Sequence, residues 1–226
     1  MLNRAIYDFI KVKIASTEYM PGSTLLKSGF PSVLGYPKDM ASEAFISLEQ
    51  DKLIQVASPS EATVVKLDAN TIAEAIFIIK SIISAIISVY SPVENEKLIS
   101  ALKDRICLLK NNISTDEFFN LDNQFYLTLS QLAGFPGVTD ILFKERLHIE
   151  RVLRLSFRAK SGYQTLVSVY MKVLLGMESN QPAVALMAVT DMVCILEQHA
   201  AMAKNNYPEF FQCDSLRQGL AKTASC

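Results

Sequence analysis

The sequence predicts a mostly α chain in two parts, with an N-terminal mixed unit over residues 1–66 and an all-α antiparallel bundle of about six helices over 67–208. Three observations predict it. The texture changes near Lys66-Leu67-Asp68: before it helical and alternating patterns mix, and after it every apolar run has helical spacing. Helix-start and helix-stop residues recur through the second part. Half of the 226 residues are hydrophobic and 20% are charged, which supports a real core and excludes a disordered chain.

The elements of the first part follow in order. Leu2 to Ala15 carries Ile6, Phe9, Ile10 and Ile14 at helical spacing. Tyr19-Met20-Pro21-Gly22-Ser23 is a turn, and a short helix covers all or part of Lys27 to Leu34, although Gly29 and Pro31 weaken it. Gly35-Tyr36-Pro37 is a second turn. A helix then runs from Lys38 to Gln50, with Pro37 where a helix can begin and Asp39 suited to its positive N-terminal end. It presents Ala41, Ala44, Phe45 and Leu48 on one face. Leu53-Ile54-Gln55-Val56 and Thr63-Val64-Val65 read as two strands around the turn Ser58-Pro59-Ser60-Glu61. Three helices and a hairpin in this order form the layout of a winged helix-turn-helix.

In the second part the predicted helices are 71–90, 92–112, 115–133, 138–159, 163–178 and 182–204. Ser91-Pro92-Val93-Glu94 and Ser114-Thr115-Asp116-Glu117 have the residues of capping boxes. Gly134 and Pro136-Gly137 stop the third helix; Ser161-Gly162 and Ser179-Asn180-Gln181-Pro182 mark the later breaks; Pro208 ends the last. The stretch 209–226 is expected to be a flexible tail. Ile72 to Tyr90 has the length of a membrane span. Glu74 and Lys80 interrupt it, and Glu74, Ser81 and Ser88 share one narrow stripe, so it reads as a bundle's central helix or a dimer interface rather than a span.

The formal net charge is −1, which gives no global electrostatic argument for nucleic acid or membrane. Cys107, Cys194, Cys213 and Cys226 form no CxxC pair, and the N-terminus has no signal-peptide core, so a reduced, cytoplasmic protein is expected. No phosphate-binding glycine loop, GxSxG, HExxH or usable Cys/His pair points to an enzyme, and no cofactor is implied.

Pro21-Gly22-Ser23-Thr24-Leu25, Gly35, Glu43-Ala44-Phe45, Leu48 and Asp51-Lys52-Leu53-Ile54, in this order and spacing, resemble the DNA-binding domain of the bacterial GntR family. Asn120-Leu121-Asp122-Asn123-Gln124-Phe125-Tyr126, followed by Leu132-Ala133-Gly134, resembles the C-terminal (FCD) domain of its FadR branch. Together the likeness covers residues 4–204. It implies a transcription regulator that binds a near-palindromic DNA operator as a homodimer, with a helical domain that senses a small effector.

The chain also departs from the family pattern. Lys38 and Ser42 stand where the resemblance expects DNA-contacting arginines, Pro37 replaces the opening Ser, and Glu61 replaces the glycine of the wing tip. Residues 1–66 hold seven Lys/Arg and seven Asp/Glu, a neutral balance that is unusual for a DNA-binding domain. The candidate DNA-facing residues are Arg4, Lys27, Lys38, Asp39, Ser42 and Ser60. Members of the branch hold a divalent metal through one Asp and three His. The matching positions here are Asp122, Tyr126, Tyr170 and Met192, so no metal is expected. With Lys80 and Ser84 on the first long helix, these four are the candidate effector pocket, apolar with a few polar handles, for a neutral or amphipathic ligand; alternatively they fill the space as core. His148, Glu145, Glu150 and Arg151 read as a solvated charged face, and Arg151, Arg154 and Arg158 as a basic stripe, either solvated or lining an anion entrance. Two rival readings stay open. One is a degenerate regulator acting through protein partners with weak or no sequence-specific DNA binding; the other is a co-regulator that binds DNA only as a heterodimer.

Overall fold

The computed structural model describes residues 2–30, 40–90, 92–109, 113–159 and 162–213. Among these the chain has eight α-helices and one three-stranded antiparallel sheet, the mostly helical architecture expected. Contacts divide it into two units: Met1–Ile14, Tyr19–Ala69 and Tyr207–Cys226 form the first, Ala15–Glu18 and Asn70–Asn206 the second.

In the first unit, α1 (Leu2–Ala15) buries Ile6, Ile10 and Ile14, the i, i+4, i+8 row that the sequence shows. Helix α2 (Met40–Gln50) buries Ala41, Ala44, Phe45 and Leu48, with the Phe45 ring 5.7 Å from Phe30. Each of the large side chains among them, the isoleucines of α1 with Phe45 and Leu48, stabilises the unit by about 1.5–3 kcal/mol on removal from water. The hairpin follows at once. Strands β2 (Ile54–Ser58) and β3 (Glu61–Val64) pair Ile54 with Val64 and Val56 with Ala62, with a bulge between Val56 and Ser58. Both strands lie slightly displaced from the predicted runs, because pairing rather than apolarity sets their ends.

A third strand, β1 (Thr24–Leu26), pairs with the far side of β3, so the sheet order is β1-β3-β2. Three residues are too short to show a period of two, and the sequence did not reveal it. Half of the short helix expected over 27–34 lies in 31–34, outside the described residues; of the other half Lys27 and Ser28 form a turn and Gly29 and Phe30 are helical. Residues 209–212, expected in the flexible tail, instead return to this unit. Leu67 donates to the Phe210 carbonyl at 2.9 Å and accepts from the Gln212 amide at 2.8 Å, while Phe211 is buried. Two backbone hydrogen bonds and one buried ring hold the segment.

The second unit contains α3 (Ala69–Val89), α4 (Pro92–Leu109), α5 (Thr115–Ala133), α6 (Pro136–Ala159), α7 (Tyr163–Glu178) and α8 (Pro182–Asn206). The Ser114 capping box is formed: its hydroxyl accepts from the Glu117 amide and the Glu117 carboxylate accepts from the Ser114 amide. The corresponding device at Ser91 lies outside the described residues. Gly134 ends α5 in the left-handed conformation at φ 71°. Pro136 starts α6 rather than only breaking the chain, because its fixed φ and missing N–H suit a first helical turn. Helices α7 and α8 come so close at Gly176 that a Cβ there would meet the Ala185 amide nitrogen at 2.6 Å. On α3 the expected polar stripe is present: Glu74, Ser81 and Ser88 are all exposed, opposite buried Ile72, Ile76, Ile79, Ile83 and Ile86. Helices α3 and α8 are both long and apolar enough to cross a membrane by length and composition.

Candidate nucleic-acid interface and buried ion-pair cluster

The inner face of α2 holds it against its unit, so its remaining residues are turned to solvent: Ser42, Glu43, Ile46, Ser47, Glu49 and Gln50 are exposed. Between Met40 and Gln50 there is no Lys or Arg. On one flank Glu43, Ser47 and Gln50 line a groove of about 380 Å³ with Arg4, Tyr7, Lys11 and Asp51. The Tyr7 hydroxyl donates to Asp51 Oδ2 at 2.5 Å, and burial together with that carboxylate pushes the phenol well above its ordinary range. On the other flank Glu49 Oε1 accepts the Val56 amide of β2 at 2.8 Å, tying the helix to the hairpin.

The sequence-predicted contacts are spread over this unit. Arg4 is exposed on α1, with Asp8 at 3.7 Å, and lies on the groove. Lys27 is half-buried with its ammonium 5.4 Å from the Phe45 ring centroid, and its amide donates to the Ser60 carbonyl. Ser60 is exposed at the hairpin tip, its hydroxyl 3.2 Å from that of Ser58. Ser42 is exposed on α2; Lys38 and Asp39 lie outside the described residues.

In the second unit, Asp122 and Tyr126 on α5, Tyr170 on α7 and Met192 on α8 are all buried. Lys80 is exposed and Ser84 half-buried, so neither shares that burial, and the pocket drawn from sequence loses Lys80 as a buried handle. Asp122 does not face an apolar space. Its Oδ2 accepts from Arg146 Nε at 2.6 Å and its Oδ1 from the Tyr170 hydroxyl at 2.5 Å. Arg146 Nη1 reaches Glu150 at 3.1 Å, Glu150 accepts from Arg154 at 3.1 Å, and Arg154 lies 3.9 Å over the Phe119 ring. The Phe125 and Tyr170 rings stack at 4.1 Å beside it.

Burial raises the Asp122 carboxyl, against the pull of Arg146 and of the Tyr170 hydrogen bond. Burial also lifts both phenols far above their ordinary range. Protonated phenols, a thioether and a carboxylate with both oxygens engaged do not fit a divalent ion.

Arg146 and Glu150 are the residues that sequence reasoning missed. Glu150 and Arg151 were expected on a solvated face, yet both are buried, and His148 is half-buried. The basic stripe is likewise not solvated as a whole: Arg151 is buried, Arg154 is paired, and Arg158 donates to Thr17 at 3.1 and 3.3 Å within the same unit. A usable signal existed in Arg146, Glu150 and Arg154 at i, i+4, i+8, an alternating-charge row on one helix face. A second buried polar pair joins Ser156 Oγ and His199 Nδ1 at 2.5 Å. Desolvation lowers the pKa of His199.

No protein-family model matches this chain. Over 213 residues, 94% of this chain and 90% of the relative, it is 20% identical to an HTH-type transcriptional regulator in an unstable DNA locus of Streptomyces ambofaciens. Its fold matches E. coli McbR/YncC with a TM-score of 0.74 at 13% identity, covering 92% of this chain and 99% of the other. It matches a GntR transcriptional regulator from Rhodococcus sp. RHA1 with a TM-score of 0.71 at 15% identity, covering 91% and 98%. The chain therefore has the two-part fold of GntR-type transcription regulators and is similar to an HTH-type regulator along nearly its whole length.

Proposed function

We propose that this protein is a DNA-binding transcription regulator of the GntR type and of its FadR branch, with an N-terminal winged helix-turn-helix over 1–66 and a helical effector-sensing and dimerisation domain over 67–208. The observation that carries the reading is α2 seated on Ala41, Ala44, Phe45 and Leu48 and followed directly by the β2–β3 hairpin. In a homodimer two such helices would meet the half-sites of a near-palindromic operator. The dimer reading is supported by the outer face of α3, where Phe77 is 68% and Val89 75% exposed beside small residues Ala73, Ser81 and Ala85. A cytoplasmic location follows from the same role.

The effector-sensing part assigns a small apolar or amphipathic ligand to the neighbourhood of Tyr126, Tyr170 and Met192, without a metal. Such a ligand changes DNA affinity only through its differential affinity for the two arrangements of the dimer.

The test is fluorescence polarisation of the full chain on its own upstream DNA over a salt series. Affinity is expected to fall steeply with salt, log K against log salt having a slope of about −0.9 per phosphate neutralised. Salt-independent or undetectable binding overturns the reading. It would favour the second one, a regulator acting through a protein partner, which the uncharged-to-acidic outer face of α2 independently motivates.

A further inference from the structure

We infer that Ile46 is a base-reading residue of α2 and that it closes on the C5-methyl group of a thymine in the major groove. The inference rests on the DNA-binding reading above. Ile46 is 55% exposed near the middle of a helix whose other apolar residues with described side chains are buried. One exposed isoleucine is unremarkable by itself, so its setting has to carry the argument.

That setting is narrow. At helical spacing, Ser42, Ile46 and Glu49 share one side of α2, and Glu49 is occupied by the Val56 amide of the hairpin. Glu43, Ser47 and Gln50 lie on the next side, over the groove shared with α1. Ile46 therefore stands between the hairpin and that groove, where a winged helix presents its recognition surface.

Exposed Ser42, Glu43, Ser47 and Gln50 are the polar readers left to the helix, and Ile46 is the apolar one. With no Lys or Arg between Met40 and Gln50, α2 lacks there the bidentate reader of guanine. The thymine methyl is the only apolar group on the major-groove edge of the four base pairs, and among the described side chains of α2 Ile46 is the only exposed large apolar one. Its β-branch restricts χ1, so little rotamer freedom is lost on contact.

The full chain is first used to select duplexes from a randomised pool. Each thymine of a selected duplex is then replaced in turn by deoxyuridine, which removes the methyl group and leaves base pairing intact, and affinity is read by polarisation. The expected result is one thymine in each half-site whose demethylation weakens binding about fourfold, the value of one buried methyl group. In Ile46→Ala, checked for an unchanged circular-dichroism spectrum, demethylation at that thymine has no further effect. The inference is overturned if no thymine responds, if Ile46→Ala keeps the wild-type sensitivity, or if its affinity is unchanged. When no duplex is enriched at all, the DNA-binding reading falls with it; an enriched duplex indifferent to demethylation removes only the role of Ile46.

Discussion

The two units use charge in opposite ways. Around α2, charged side chains lie at the surface: Arg4 and Asp8 are mostly exposed, and Glu43 and Glu49 are on the solvent side. On α6 they are inside, where Arg146 and Glu150 are nearly as buried as the leucines beside them. Residue counts give residues 1–66 seven charges of each sign and leave 15 Lys/Arg against 16 Asp/Glu in the rest, so they do not tell the two parts of the chain apart. What matters is whether a charge keeps its water. A surface pair contributes about 0–1 kcal/mol, whereas a buried one is costly to desolvate and more costly to break.

That contrast can be broken most severely at Arg146. Arg146→Met leaves Asp122 and Glu150 as buried carboxylates without their shared partner, and a loss of about 3–5 kcal/mol is expected in urea unfolding. A loss below 1 kcal/mol would mean that the cluster is hydrated and behaves like the surface pairs of the first unit. Ser114→Ala probes an exposed hydrogen-bonded cap in the same unit; the expected cost is about 1 kcal/mol by the same assay, with a double change, Ser114→Ala with Glu117→Ala, adding little because the two groups act as one device.

The smallest effect is a matter of pH. Desolvation depresses the His199 pKa in the folded state below the ordinary 6.5. The folded form thus favours neutral imidazole, and the associated stability is present above pH 6.5 and is lost as pH falls through the folded value. Urea midpoints measured from pH 7 to pH 5 should drop more for the wild type than for His199→Gln. Equal slopes would show that His199 keeps its water, as the charges around α2 do.

Much of the fold could be read locally. Helices 115–133 and 163–178 have the predicted limits: Ser114 with Glu117 and Gly134 cap the first, and the Ser179 amide closes the end of the second on the Leu175 carbonyl. The burial of Ile6, Ile10 and Ile14 follows from their spacing alone. The candidate site was less legible. Asp122, Tyr126, Tyr170 and Met192 were found as a buried group, but Arg146 binds Asp122 from 24 residues away, and no periodicity reports such a pair. Strand β1 was invisible for a similar reason: it exists because Thr24–Leu26 pair with Glu61–Thr63 across a long separation. The return of Phe211 to Leu67 spans still more of the chain.

By itself the sequence determined approximately where the described helices begin and end, which residues form most of their apolar faces, and that mixed patterning precedes helical patterning along the chain. These are consequences of capping, φ restriction and the 3.6-residue repeat, which act within a few turns of the chain. Tertiary structure alone decided which charges are buried, what Asp122 holds, and where the C-terminal segment goes. Those outcomes depend on desolvation and on partners brought together from separate helices and strands, and neither exists until the chain has packed.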